Sequence, residues 1–228
     1  MSRSGHQAAA PELQAVTFDM DGLLVDSEPL WFRAESAVME RLHGAWVPGD
    51  QDALVGGSMS TTVAYLLNKG TRPAEPAAVA RWLLDAMVDL LRQAPVPVLP
   101  GAVELVAEVQ AAGLPNALVT SSEPEVVDAV LAKLDVEFPV IVCAADVSHA
   151  KPDPEGYLLA AAKLGVEPQS AIALEDSVNG VRAAEAAGFR TVAVPSVVPV
   201  PARPGRVVLA SLAGVTLAQL ATRVGVAL

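Results

Sequence analysis

The chain has 228 residues, 52% of them hydrophobic but only 4% aromatic, so the apolar bulk is Ala, Val and Leu, and the length suits one sizeable core with a smaller unit beside it. With 26 acidic against 15 basic side chains, the formal charge of −11 repels a polyanionic backbone and excludes a nucleic acid polymer as an electrostatically held partner. No run of about 18 apolar residues without a charge occurs, and MSRSGHQAAAPELQ lacks the apolar stretch of a secretory signal, so a cytoplasmic protein with no membrane partner is expected.

In chain order, residues 1–11 read as a disordered, Ala-rich N-terminus. LQAVTFDMDG has the form of a buried strand whose C-terminal end opens on acids and a glycine. From about Pro29 to Ala94 the pattern changes to PLWFRAESAVMERLHG, MSTTVAYLLNKG and PAAVARWLLDAMVDLLRQ, three helical stretches with no strand signal between them. An all-helical insert over 29–93 follows, with the proline-rich APVPVLPG as a stiff return linker.

PGAVELVAEVQAAG predicts a helix with Pro100 ahead of it and Gly113 at a left-handed C-terminal position. Apolar runs at LPNALVTSS, FPVIVCAAD, SAIALEDS and FRTVAVPS alternate with helix-like stretches, the pattern of an α/β parallel sheet carried by 12–28 and 94–228. Cys143, the single cysteine, reads as a buried strand residue. SVNGVRAAEAAG opens a helix at Ser177 and closes it at Gly188. Beyond Pro195 a proline-rich loop, one more short strand and a closing helix are expected.

Several strand exits carry groups suited to chemistry. Asp19 and Asp21 flank Met20, and residues two apart in an extended segment point the same way, so both carboxylates face one pocket as nucleophile and general acid/base or as metal contacts. The plainer reading is an acidic turn. Glu175 and Asp176 end IALEDS and would complete an oxygen-rich magnesium site, unless Asp176 only caps the next helix. Lys151, ahead of Pro152, supplies a compact positive charge where a phosphate needs one, against the commoner surface role of lysine. Thr120 and Ser121 offer a hydroxyl and a free backbone N–H to phosphate oxygens, or form another turn. All four groups fall at strand exits of one sheet, the edge where open α/β folds place ligands.

FDMDGLLVDSEP, LVTSSEP, AKPDPEGY and LEDSVNGVRAAEAAG, in that order, resemble the four signatures of the haloacid dehalogenase superfamily, from about Leu13 to Ser196. The branch it looks most like is the β-phosphoglucomutase-like phosphatases, whose helical cap is inserted just after the first signature, where 29–93 falls. The resemblance implies an α/β, Rossmann-like parallel-sheet core with an inserted α-helical cap domain, and a phosphatase that uses Mg2+ and an aspartyl-phosphate. It makes Asp19 the nucleophile and a metal ligand, and Asp21 the general acid/base and, through its main-chain carbonyl, a further ligand. Thr120 and Ser121 become phosphate contacts, Lys151 the charge that steadies Asp19 and phosphate, Asp176 a magnesium ligand and Glu175 a direct or water-mediated one.

The stretch Asp26 to Trp31, which includes Glu28, resembles phosphatases of small sugar or polyol phosphates, though Trp31 also reads as cap core. Gly57 and Ser58, with Gly56, would meet the leaving group from the cap. An aspartate at position 21 favours phosphate esters over halide or phosphonate substrates. A phosphosugar mutase is the alternative within the family, weakened because ALVGGSMSTTVAYLL has no arginine beside its glycines to clamp a second phosphate. A non-catalytic binding protein on the same fold is the alternative outside it. The partner expected is a small phosphorylated metabolite, and the chain itself a monomer or else a dimer.

Overall fold

The computed structural model describes residues 11–54, 56–134 and 136–228. The disorder expected for 1–11 lies outside the described residues except at Pro11, whose carbonyl accepts from Ala227 N at 2.9 Å. Strand β1 (Ala15–Phe18) is followed by helices α1 (Glu28–Arg41), α2 (Pro48–Asp52), α3 (Met59–Lys69), α4 (Pro76–Gln93) and α5 (Ala102–Ala111). Then come β2 (Asn116–Val119), α6 (Pro124–Leu131), β3 (Val140–Val142), α7 (Glu155–Leu164), β4 (Ala171–Glu175), α8 (Val178–Ala186), β5 (Arg190–Ala193), β6 (Val207–Val208) and α9 (Leu217–Val224). None of the described helices is long and apolar enough to cross a membrane.

The six strands form one parallel sheet in the order β3-β2-β1-β4-β5-β6. Parallel strands are covered on both faces and read as unbroken apolar runs, which is why these segments showed no polar alternation. The faces differ in bulk. Val16, Phe18, Leu118, Ile172, Leu174 and Val192 fill one, whereas Ala15, Ala117, Ala171 and Ala173 line the other against Tyr157, Ala160 and Ala161 of α7 and Ala183 and Ala184 of α8. Small side chains let α7 and α8 approach the sheet closely.

Helices α1 to α4 pack on one another between β1 and α5, and α4 also packs on α6. In α4, Val79, Leu83, Met87 and Leu91 recur every fourth residue and are buried, the stripe of an amphipathic helix. Helix α2, too short to announce itself by periodicity, went unforeseen. The two connections of the insert pair with each other: Asp26 N donates to Pro97 O at 2.8 Å and Leu99 N to Leu24 O at 2.9 Å, with an antiparallel bridge between Val25 and Val98. The return segment is thus held by its neighbour as well as by its prolines. Cys143 is buried but lies one residue past β3, where its thiol donates to Asp146 Oδ2 at 3.2 Å.

Candidate active site

The sheet order reverses between β1 and β4, so the connections from their C-terminal ends diverge and leave a crevice there. The register pairs Phe18 with Leu174, and Asp19 N donates to Leu174 O at 3.1 Å, which sets Asp19 beside Glu175. Glu175 continues the Ala171 and Ala173 side of β4, and its carboxylate enters the narrow space between α7 and α8. A Cβ built on Gly180 of α8 would lie 1.9 Å from Glu175 Oε2, so this helix position admits only glycine while the carboxylate stays where it is. A second close approach occurs at Gly22 (φ +78°), where a Cβ would come within 2.1 Å of Asp176 Oδ2. That glycine turns the chain after Asp21, so both Asp19 and Asp21 line the pocket even though β1 ends at Phe18.

Lys151 ties the crevice together. Its Nζ donates to Asp19 Oδ1 and Glu175 Oε1, both at 2.6 Å, and to the Val119 carbonyl at 2.8 Å. It also lies 5.4 Å from the centre of the Tyr157 ring, whose hydroxyl donates to Glu175 Oε1 at 2.6 Å. The ammonium thus reaches the crevice and is held there by three oxygen acceptors. Burial works against its charge, but Asp19 and Glu175 outweigh burial and hold Lys151 above the ordinary lysine range. Asp19 is shifted the other way for a carboxyl: burial pushes it well up, Glu175 and Asp176 add to this, and Lys151 opposes it. Burial, then Glu175, raises Asp176 to about 7 despite the Ser196 hydroxyl that donates to its Oδ2 at 2.6 Å.

When all three are ionised, the carboxylates of Asp19, Glu175 and Asp176 face one ammonium and two negative charges are left uncompensated. One oxygen from each of Asp19, Glu175 and Asp176 lies within 4.8 Å of the others, and Glu175 Oε2 is buried with no hydrogen-bond partner. An oxygen-only donor set short of two positive charges fits a hard divalent cation. The Asp21 carboxylate stands apart from this group. Its Oδ2 accepts from Ser122 Oγ at 2.7 Å, and its Oδ1 accepts from the Ser27 hydroxyl and, at 3.4 Å, from Trp31 Nε1. Any metal role for Asp21 falls to its carbonyl.

Thr120 is buried at the exit of β2, its N–H donating to Val142 O at 2.9 Å and its Oγ1 accepting from Ser122 N at 3.1 Å. The Thr120 N–H is thus taken up by the sheet. Asp176 does not cap α8: Ser177 does, accepting from Gly180 N at 3.1 Å. A cavity of about 100 Å3 brings together Asp19, Asp21, Thr120, Ser121, Lys151 and Asp176 from the core with Glu28, Trp31, Glu35, Gly57 and Ser58 from the insert. A second cavity of about 230 Å3 shares Ser58, Thr120, Ser121 and Lys151 with it. Trp31 thus borders the site as well as packing on the insert. Ser58 caps α3, accepting from Thr61 N at 3.3 Å. Asn179 Nδ2 donates to the Gly56 carbonyl at 3.1 Å, fastening this loop of the insert to α8.

Five residues at the site went unassigned in the sequence: Ser27, Ser122, Tyr157, Ser196 and Glu35. Three of them, Ser27, Ser122 and Tyr157, lie inside the quoted motif segments, which was the one signal available for them.

Residues 13–188 match the family model described as haloacid dehalogenase-like hydrolase. The chain is 36% identical over 192 residues to hexitol phosphatase B of Escherichia coli strain K12, covering 81% of this chain and 85% of that protein. It is similar, at 30% identity and a TM-score of 0.83, to the crystal structure of a CbbY mutant from Rhodobacter sphaeroides in complex with xylulose-(1,5)bisphosphate, over 91% of this chain and 99% of that one. A β-phosphoglucomutase from Clostridium difficile shares the fold at a TM-score of 0.80 and 22% identity, over 93% of this chain and 97% of that one.

Proposed function

This chain belongs to the haloacid dehalogenase-like hydrolases and is a phosphatase, and from that premise we propose that it hydrolyses a small sugar or polyol phosphate through an aspartyl-phosphate on Asp19, with Mg2+ as cofactor. The observation that carries this reading is the Lys151 ammonium, 2.6 Å from both Asp19 and Glu175 at the crevice between β1 and β4. It marks Asp19 as a carboxylate held in one orientation beside a fixed positive charge.

In this mechanism Asp19 attacks phosphorus in line, and the leaving alkoxide takes a proton from Asp21. Lys151 holds Asp19 in position and balances charge that develops on the phosphoryl oxygens, with Thr120, Ser121 and nearby N–H groups as further contacts. Asp21 then accepts a proton from the water that hydrolyses the aspartyl-phosphate, so it alternates between acid and base. The hydroxyls of Ser27 and Ser122 suit that alternation, because a hydroxyl donates to a carboxylate and accepts from a carboxylic acid with the same heavy atoms. Asp19, Asp176 and the Asp21 carbonyl would hold magnesium, with Glu175 joining directly or through water. The ion would supply the two positive charges that this acidic cluster lacks.

The insert serves as the cap, with Glu28, Gly57 and Ser58 meeting the leaving group and the paired connections at 24–26 and 97–99 as its joint. The mutase alternative needs a clamp for a second phosphate, and Lys151 is the sole cationic side chain among the described residues lining the cavity. The test is magnesium-dependent hydrolysis of p-nitrophenyl phosphate by the wild type and by Asp19→Asn. The variant should fold with nearly the same melting temperature and lose at least about a thousandfold in kcat. A smaller loss removes Asp19 from the nucleophile role.

A further inference from the structure

The two ends of the cavity differ in charge. At the sheet end Lys151 is bound to Asp19, Glu175 and the Val119 carbonyl. At the insert end the described lining is Glu28, Glu35, Gln51, Ser58 and Thr62 with apolar neighbours, and it holds no cation. Glu28 lies near enough to Asp21 and Asp26 to feel their charge, and Glu35 near enough to Glu28 to feel that of Glu28. Gln51 Nε2 donates to Glu28 Oε2 at 2.8 Å and to the Glu28 carbonyl at 2.6 Å, so Glu28 is already partnered.

Glu35 is not. It is 3% exposed in α1, and its Oε2 is buried with no hydrogen bond closed, the neighbouring Trp46 indole N–H being near enough to influence it but likewise unpartnered. A buried polar oxygen left unpaired is an exception in folded proteins. Here it belongs to a residue that lines a ligand cavity, so a group arriving with the ligand can supply the missing bond. A hydroxyl suits it, since it donates to a carboxyl oxygen and brings no charge. A second phosphate or a carboxylate would meet two acidic side chains and no cation at this end, and so find no clamp.

We propose that Glu35 is a specificity-determining residue that bonds a hydroxyl of the leaving group, and that the acid-lined end restricts the substrate to the single-phosphate ester of an uncharged polyhydroxylated chain. This rests on the phosphatase reading, in which the reacting phosphate sits at Asp19. A site built to bond a hydroxyl also discriminates strongly against molecules lacking it, because its own polar group is then left unpaired.

The experiment measures kcat/KM with magnesium for the wild type, Glu35→Gln and Glu35→Leu. The probes are p-nitrophenyl phosphate and a set of polyol and sugar monophosphates, each paired with the bisphosphate of the same carbon skeleton. For the best monophosphate the wild type should exceed the paired bisphosphate by about tenfold or more. In Glu35→Leu the ratio of that monophosphate to the aryl ester should fall by about tenfold, and Glu35→Gln, which keeps an acceptor oxygen, should recover most of the ratio. A bisphosphate used as well as its monophosphate, or a Glu35→Leu ratio equal to that of the wild type, overturns the proposal. If Glu35→Leu does not fold, the wild-type pairing and the Glu35→Gln ratio still decide it. Absence of aryl phosphate hydrolysis by the wild type would instead sink the phosphatase reading itself.

Discussion

The two walls of the cavity hold acids under opposite conditions. On the core wall, Asp19 and Glu175 share Lys151, Tyr157 and Ser196 add hydrogen bonds to Glu175 and Asp176, and α7 and α8 press close on an alanine-lined face. On the insert wall, Glu28 has an amide partner and Glu35 has an oxygen with none, and no cation answers either. Burial raises the acids of both walls, but Lys151 opposes the rise of Asp19 and Asp176, whereas no cationic side chain on the insert wall opposes that of Glu28 or Glu35. Burial, followed by the neighbouring acids, accordingly pushes Glu28 up to about 7, and burial with Glu28 pushes Glu35 to about 8. The nearby Trp46 indole N–H opposes the shift of Glu35 without closing a hydrogen bond.

The largest expected effect breaks the core wall by removing its cation. Activity should vanish in excess chelator and return with magnesium. Calcium should restore little of it, because it prefers more ligands at longer distances than Asp19, Glu175 and Asp176 would set. Full turnover in chelator would separate these acids from any metal role.

A pair of glycine substitutions sharpens the contrast. Gly180 and Gly49 both lie in helices, α8 in the core and α2 in the insert, so propensity favours alanine at each by up to about 1 kcal/mol. Gly49 has nothing within 4 Å of a built Cβ, but Gly180 faces the Glu175 carboxylate at 1.9 Å. Gly49→Ala should therefore raise the melting temperature slightly and leave kcat alone. Gly180→Ala should lower it and cost at least about tenfold in kcat, since displacing Glu175 releases one of the two carboxylates holding Lys151. Equal effects at the two sites would mean the Glu175 position is not critical.

The contrast also explains what could be read from the sequence. Asp19, Lys151 and Glu175 stood out because each ends an apolar strand or precedes a proline, and a parallel sheet gathers its strand ends on one edge. The pairing of Lys151 with Glu175 was less accessible, since it depends on the alanine face that seats α7 on β2 and β3 and α8 on β4. Ser27, Ser122 and Ser196 carry no periodic signal, because a serine beside a turn reads as part of the turn. Glu35 was hidden by its charge: Leu30, Ala34, Val38 and Met39 form the buried face of α1, and Glu35 falls on that face between Trp31 and Met39, where an acid reads as an interruption of the apolar pattern. Its burial comes from helices distant in sequence closing over the cavity.

The smallest effect tests the state of the insert wall directly. Glu35 has an ordinary value of 4.5 and about 8 in the folded chain, so between these limits the unfolded chain has given up its proton while the folded one retains it. The folded state then binds more protons, and stability must fall as pH rises from about 5 to about 8, with no further loss above that range. Glu35→Gln removes this proton, so its stability relative to wild type should climb across the same window, by on the order of 2 kcal/mol. Glu28 titrates in the same region and remains in both proteins, so its shift from burial, Asp21 and Asp26 is common to them, while its coupling to Glu35 is part of what the difference reports. Urea melts of both proteins at pH 5 and pH 8, with m-values checked for equality, supply the measurement. A difference independent of pH would mean that Glu35 ionises as easily in the folded chain as in the unfolded one. The insert wall would then carry a full negative charge even in the empty cavity.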